Sequence, residues 1–348
     1  MASGLATAER GGEVTMSTRR QVLRVIVTGV AMAAAGLAAL PSQAAPPGTE
    51  AEVSLLASGL AGGSGSTVGP DGALYVPEHL AGRIARIDPV TGATETFARG
   101  LPPALVGIGG AVDVAFLGGT AYVLVTMVGA DLGGDDVVGI YRVDGPDDFT
   151  VVADLGAFSE ANPPETDFFV PTGVQYAMQL FRGGFLVTDG HHNRVLWAGR
   201  DGTVRELIAF GNIVPTGLEV HGSTVLIAEA GPLPHNPADG RVVSFSPGDA
   251  SAAVVASGAP LLVDVERGRG RTLYALSQGI WTGGIEGSPA SPDSGALVSV
   301  RDDGSFAVVV GGIDRPTSME VVGTTAYVVT IDGEVWRVDG VSGPPYGG

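Results

Sequence analysis

Three observations predict an all-β fold, a six-bladed β-propeller. A motif of about 44 residues recurs six times, turn signals separate short apolar runs inside each copy, and a spare strand precedes the first copy while the last copy lacks one. The clearest copy runs from Val170 to Phe210. An apolar run begins at Thr172, and Gly183 and Gly184 turn the chain. Phe185 to Thr188 is a second strand rich in aromatic and β-branched residues. Arg194 to Ala198 is the third strand, Asp201 and Gly202 give a hairpin signal, and Thr203 to Phe210 is the fourth. The next copy opens with Pro215, Thr216 and Gly217, the letters that opened this one at Pro171.

Inner-strand starts fall near Gly65, Gly110, Pro171, Pro215, Pro260 and Pro316, and the two long spacings mark insertions in the second and fifth copies. Second strands align as Ala73 to Glu78, Ala121 to Thr126, Phe185 to Asp189, Thr224 to Glu229, Thr272 to Ser277 and Ala326 to Thr330. Third strands follow at Gly82, Gly139, Asn193, Gly240, Gly295 and Gly333. The sixth copy ends without a fourth strand. Glu52 to Leu60, EVSLLASGL, has the pattern of one, and a ring closed by that segment leaves no bare sheet edge between first and last blade. One propeller domain is therefore expected over residues 51–342, with 45–50 a linker and 343–348 a flexible tail.

Residues 1–44 read as an over-extended start plus an export signal. Met16 opens a basic segment, Val25 to Leu40 is apolar, and Ser42, Gln43 and Ala44 form a small-residue cleavage site. Arg19 and Arg20 fit the twin-arginine export pattern. The apolar run is short for a membrane span, so a secreted or extracytoplasmic protein with no stable transmembrane anchor is expected. Its removal takes four arginines and two glutamates, moving the net charge from −18 to −20. Such acidity argues against nucleic acid as a partner. The chain has no cysteine, so its stability must come from packing alone. With 6% aromatic residues, a sugar site built on stacked rings is poorly supported.

The stretch TDGHHNRVLWAGRDG resembles the NHL-type propeller repeat, in which an acid ends the second strand and an Asn-Arg pair opens the third. Asp189, Asn193 and Arg194 hold those places, and the pattern is clear in only some blades. More widely, LLASGL, GPDGALYV, SEANPPETD, PTGLEV and TVLIAEAG resemble the ScyD/ScyE family of exported bacterial propellers, named from gene clusters for the pigment scytonemin. That resemblance implies an extracytoplasmic propeller and supplies no catalytic residues.

In a propeller, the loops joining second to third strands share one face with those leading into each new blade. Four insertions fall there, Thr126 to Asp136, Phe158 to Phe169, Glu229 to Asp239 and Ser277 to Ser294, and so do four of five histidines: His79, His191, His192 and His235. Imidazoles beside Glu78, Asp189 and Glu229 suggest a divalent metal, calcium or zinc, or an acid/base site; the alternative is solvated loop residues pointing apart. The loop acids Asp131, Asp135, Asp136, Glu160, Glu165 and Asp167 do not have EF-hand spacing and read as surface charge on the ligand face. Trp281, in the fifth insertion, is either a lid over the channel or an anchor for its own loop, and Trp197 and Trp336 are expected in the core. Ala61 to Ser66 is glycine-rich and reads as a linker, not a phosphate cradle.

Two functions follow. One is a monomeric binding protein that takes a small molecule or a protein on the loop-rich face. The alternative is a metal-dependent hydrolase or lyase of the gluconolactonase type. The second wants a carboxylate at the first inner-strand start, where Gly65, Ser66 and Thr67 stand instead, although Asp113 and Asp264 lie in other inner strands.

Overall fold

Alternation of buried and exposed positions along short β-rich segments produces strands that pair in hairpins, and here the hairpins combine into six four-stranded antiparallel sheets. The computed structural model describes residues 51–341 except 234, 235, 237, 238 and 286. The expected leader, linker and tail, together with His235, lie outside the described residues.

The first strand, β1 (Glu52–Ala57), stands apart from the copy it precedes. Blade 1 holds β2 (Thr67–Val68), β3 (Leu74–Glu78), β4 (Arg83–Ile87) and β5 (Thr94–Arg99). Blade 2 holds β6 (Gly110–Leu117), β7 (Thr120–Thr126), β8 (Gly139–Gly145) and β9 (Asp148–Asp154). Blade 3 holds β10 (Gln175–Phe181), β11 (Gly184–Asp189), β12 (Arg194–Ala198) and β13 (Val204–Ala209). Blade 4 runs β14 (Pro215–His221), β15 (Thr224–Glu229), β16 (Arg241–Phe245) and β17 (Ala253–Ser257). Blade 5 runs β18 (Leu262–Arg267), β19 (Leu273–Ser277), β20 (Gly295–Val300) and β21 (Phe306–Ile313). Blade 6 has β22 (Pro316–Val322), β23 (Thr325–Thr330) and β24 (Val335–Asp339), and its fourth strand is β1. Glu52 pairs with Asp339 and Ala57 with Val335, so the ring closes as the spare strand implied.

Apolar residues fill the wedges between neighbouring blades. Ala57 and Leu60 join Leu74, Val76, Val329 and Val335 in the wedge between blades 6 and 1, and each of the other five junctions has its own cluster. Trp197 and Trp336 pack half-buried against two of these clusters. The insertion after blade 2, expected as a loop, begins with a helix, α1 (Leu155–Ala161). The Asp154 carboxylate caps it by accepting from the Ala157 N–H at 2.8 Å, and Leu155 and Ser159 face inward.

The inner strands carry a device repeated three blades apart. Asp113 on β6 accepts from the Met178 N–H of blade 3, at 2.6 Å, and Asp264 on β18 accepts from the Met319 N–H of blade 6, at 2.8 Å. Each carboxylate also takes the N–H of the following residue. On the preceding blade, Gly65 and Gly217 sit where any Cβ would strike these same carboxylates, so only glycine admits the bridge. Two sets of three blades are thereby clasped around the axis.

Candidate functional site

The channel along the axis is divided in two at the level of Tyr176, with Gly65, Val263 and Thr317 also lining both halves. Tyr176 on β10 reaches across to blade 6 and donates its hydroxyl to the Thr317 carbonyl at 2.9 Å. Above it, on the loop-rich face, lies a chamber of about 240 Å³; below it lies one of about 270 Å³. Tyr176 lines both.

The lower chamber is acidic. Asp113, Asp264, Glu266 and Glu320 line it, and Gln179 on its wall donates to Glu219 at 2.9 Å. Burial raises the Asp113 pKa to about 8, against the pull of its two backbone N–H donors and with a small push from Asp264. Burial likewise raises Asp264 to about 7 and lifts Glu266 and Glu320 well above the usual carboxylate range, with neighbouring acids adding to the effect. The folded state thus holds protons that the unfolded chain has released by pH 5. Stability from these groups is complete below about pH 4 and is lost as pH rises through 7 to 8. His79, whose pKa burial lowers, acts in the opposite sense but is a single group. The thermal midpoint is expected to fall by several degrees between pH 5 and pH 8.5. In an Asp113→Asn, Asp264→Asn double variant that slope should flatten, and an equal slope in both proteins would refute the assignment.

The upper chamber is lined differently. Its walls include Ile108, Val112, Met127, Val174, Leu261, Val263 and Ile331, and no charged side chain is among the described residues lining it. Glycine-rich Gly63, Ser64 and Gly65, expected as a linker, form part of the wall because the chain descends here between β1 and β2. Three non-glycine wall residues have left-handed backbone: Met127 (φ 56°), Val214 (φ 55°) and Leu261 (φ 41°). Such a conformation costs of order 1–3 kcal/mol and is least tolerated by β-branched residues such as Val214. It recurs at Arg315, and the Val214, Leu261 and Arg315 carbonyls accept from Ala230, Gln278 and Ile331, the residues that leave the second strands. The fold holds these corners at the chamber mouth.

The structure separates the expected site residues. His79 and His191 both line the upper chamber. His79 Nδ1 lies 2.9 Å from Ser64 Oγ, and the His191 ring packs on Phe169 with centroids 4.7 Å apart. His192 turns away into a buried network, 3.2 Å from Asp189 Oδ2 and 3.0 Å from Val170 O. The expected acids are spent on arginines that face them across the second and third strands. Glu78 takes Arg83 at 2.5 Å, Asp189 takes Arg194 at 3.0 Å, and Glu229 takes Arg241. These are the acid and arginine of the repeat, so the motif fastens a hairpin end rather than offering a ligand. Among the described residues no group of three or more histidines and carboxylates stands close enough together to hold a metal ion, and of the expected set only His79 and His191 share the chamber.

On the ligand face, Asp131 accepts from Thr172 Oγ1 at 2.8 Å and ties the blade-2 loop to the start of blade 3, while Glu160 and Asp167 are exposed. Trp281 is an anchor, not a lid: half-buried on Ala230, Leu261 and Ala290, it donates to Ser288 Oγ at 2.9 Å. Sequence reasoning missed Tyr176 and the apolar chamber. The trace was an aromatic residue at an inner-strand position where blades 4 and 6 carry Thr216 and Thr317.

No protein-family model matches this chain, and no curated protein matches it in sequence. Solved structures match in fold. A gluconolactonase from Xanthomonas campestris superposes with a TM-score of 0.59 at 11% identity, over 84% of this chain and 90% of that one. The PQQ-bound aldose sugar dehydrogenase of Streptomyces coelicolor gives 0.56 at 14% identity, over 85% and 99%. Virginiamycin B lyase from Staphylococcus aureus gives 0.51 at 13% identity, over 83% and 99%. At such identities the likeness shows the six-bladed propeller and nothing of its chemistry.

Proposed function

We propose that this chain is an extracytoplasmic propeller of the ScyD/ScyE kind that binds a small molecule in the upper chamber. The observation that carries the reading is the chamber itself: walls from all six blades, a floor made by the Tyr176 bridge, and strained backbone held at the mouth. Extracytoplasmic placement rests on Arg19, Arg20 and the apolar run after them, and recovery of the protein from the cytoplasm alone would sink that part. A lactone hydrolase receives less support, because Asp113 and Asp264 point below the floor and are committed to backbone amides.

The test is a thermal-shift screen of small molecules on the wild type and on Ile331→Trp, which fills the chamber. At least one compound should raise the wild-type midpoint by 3 degrees or more and leave the variant unmoved. Metal-dependent turnover of a lactone, lost in the same variant, would replace binding by catalysis. Hits that shift both proteins equally would remove the chamber from consideration.

A further inference from the structure

We propose that the molecule taken by the upper chamber is uncharged and lipophilic, not a sugar, a polar lactone or an ion; this rests on the reading that the chamber is the binding site. Three independent features of the chain point the same way.

The first is that most of the polar side chains on the wall are already used within the protein. Thr126 Oγ1 donates to Gln175 Oε1 at 2.7 Å and accepts the Gln175 N–H. Thr216 Oγ1 donates to the Leu262 or Ala228 carbonyl, and Thr317 Oγ1 to that of Gly63 or Val329. The Tyr176 hydroxyl donates to Thr317, and His79 is paired with Ser64. A polyhydroxylated ligand would shed its water here and find these groups engaged, a cost of roughly 1–3 kcal/mol for each unmet hydrogen bond.

The second feature is charge. The chain carries −18 overall, yet no aspartate, glutamate, lysine or arginine is among the described wall residues, and burial depresses the pKa of His79. An ion entering would have no counter-charge and would lose its hydration. The acids that would greet a cation lie on the far side of Tyr176.

The third feature is the rim. Leu80, Leu105, Phe168, Phe169, Ile280 and Ile285 are exposed, by 39% to 84%, and all sit in loops of this one face. Among the described residues Leu55 is the sole other exposed leucine, isoleucine or phenylalanine; the remaining large exposed apolar side chains are valines. Such a concentration of exposed apolar side chains on the face that carries an apolar chamber exceeds the scatter of single residues on ordinary surfaces, and Phe169 belongs to both the rim and the chamber wall. At about 240 Å³ the chamber is below the roughly 300–1,000 Å³ of drug-sized sites, so the ligand is compact, on the scale of one or two fused rings.

The experiment uses N-phenyl-1-naphthylamine, an uncharged probe that fluoresces in apolar surroundings, with naphthalene-1-carboxylate and D-glucono-1,5-lactone as the charged and polar comparisons. The probe should bind one-to-one and more tightly than either comparison by at least tenfold. Ile331→Arg, which places a charge at the half-buried wall, should weaken it at least tenfold with an unchanged circular dichroism spectrum. Phe169→Asp, at an exposed rim position, should weaken it several-fold, and Val90→Arg on the opposite face should have no effect. If the carboxylate or the lactone binds in an Ile331-sensitive way and the neutral probe does not, the ligand class is wrong and the chamber stands. If no compound's binding responds to Ile331 or Phe169, the class and the chamber both fall.

Discussion

Arg194→Ala is expected to lower the unfolding free energy by about 3–5 kcal/mol, the range found when one partner of a buried ion pair is removed. The Arg194 side chain is 1% exposed and Asp189 is fully buried. The guanidinium holds four groups at once: Asp189 Oδ2 at 3.0 Å, Ser159 Oγ at 3.0 Å, His192 Nδ1 at 3.0 Å and the Asn162 carbonyl at 2.7 Å. It also lies over the Phe158 ring, 5.5 Å from the centroid. Its loss leaves a buried carboxylate with longer contacts, from Val174 N–H and the His192 ring at 3.2 Å and from Ser159 and Gln175 side chains at 3.4 Å. It also releases α1 from blade 3. Lysine should not rescue, because one ammonium cannot point along three directions in a plane. Arg86→Ala removes a pair of partly exposed ion pairs, with Asp71 and Glu95, and should cost far less, because solvent screens them. Urea unfolding of the three variants decides the matter, and a cost for Arg194→Ala no larger than for Arg86→Ala would reduce the network to decoration.

The same arginine shows where sequence reading succeeds and where it stops. Asp189 and Arg194 stand five apart, as do Glu78 and Arg83, and the spacing was visible in the chain as a repeat motif. Taken one blade at a time it locates a hairpin end correctly. Whether the acid faces a metal or its own arginine depends on cross-strand register, and the observed register sets Glu78 opposite Arg83, Asp189 opposite Arg194 and Glu229 opposite Arg241. Periodicity fixes which strands exist, because each strand is a local pattern. It does not show the axis. Tyr176 and Thr317 are 141 residues apart, and their meeting follows only from blades 3 and 6 standing opposite in a ring. The apolar chamber is hidden for the same reason: its walls are contributed in short, scattered pieces by every blade, and the pieces meet only around the axis.

Removal of residues 51–60 should have the second large effect, lowering the thermal midpoint by more than ten degrees. Leu60 and Ala57 are buried in the wedge between blades 6 and 1, where Leu56 packs beside them, and the Leu60 N–H donates to the Gly333 carbonyl at 3.2 Å. Exposing these side chains costs roughly 3–6 kcal/mol, at about 1.5–3 kcal/mol for a large apolar side chain. That is comparable to the whole stability of an ordinary domain. β24 would then be an open edge, free to pair with another copy, so strand-exchanged oligomers are expected in the truncated protein. A rearranged chain separates closure from mere truncation. Because Glu52 pairs with Asp339, the segment Glu52 to Leu60 joined after Val341 through a short turn would return to β24 as an ordinary hairpin. That variant should recover most of the lost midpoint and remain monomeric by size-exclusion chromatography. A truncated chain as stable as the parent, or a rearranged one no better than the truncation, would mean that the ring does not depend on this strand for its closure.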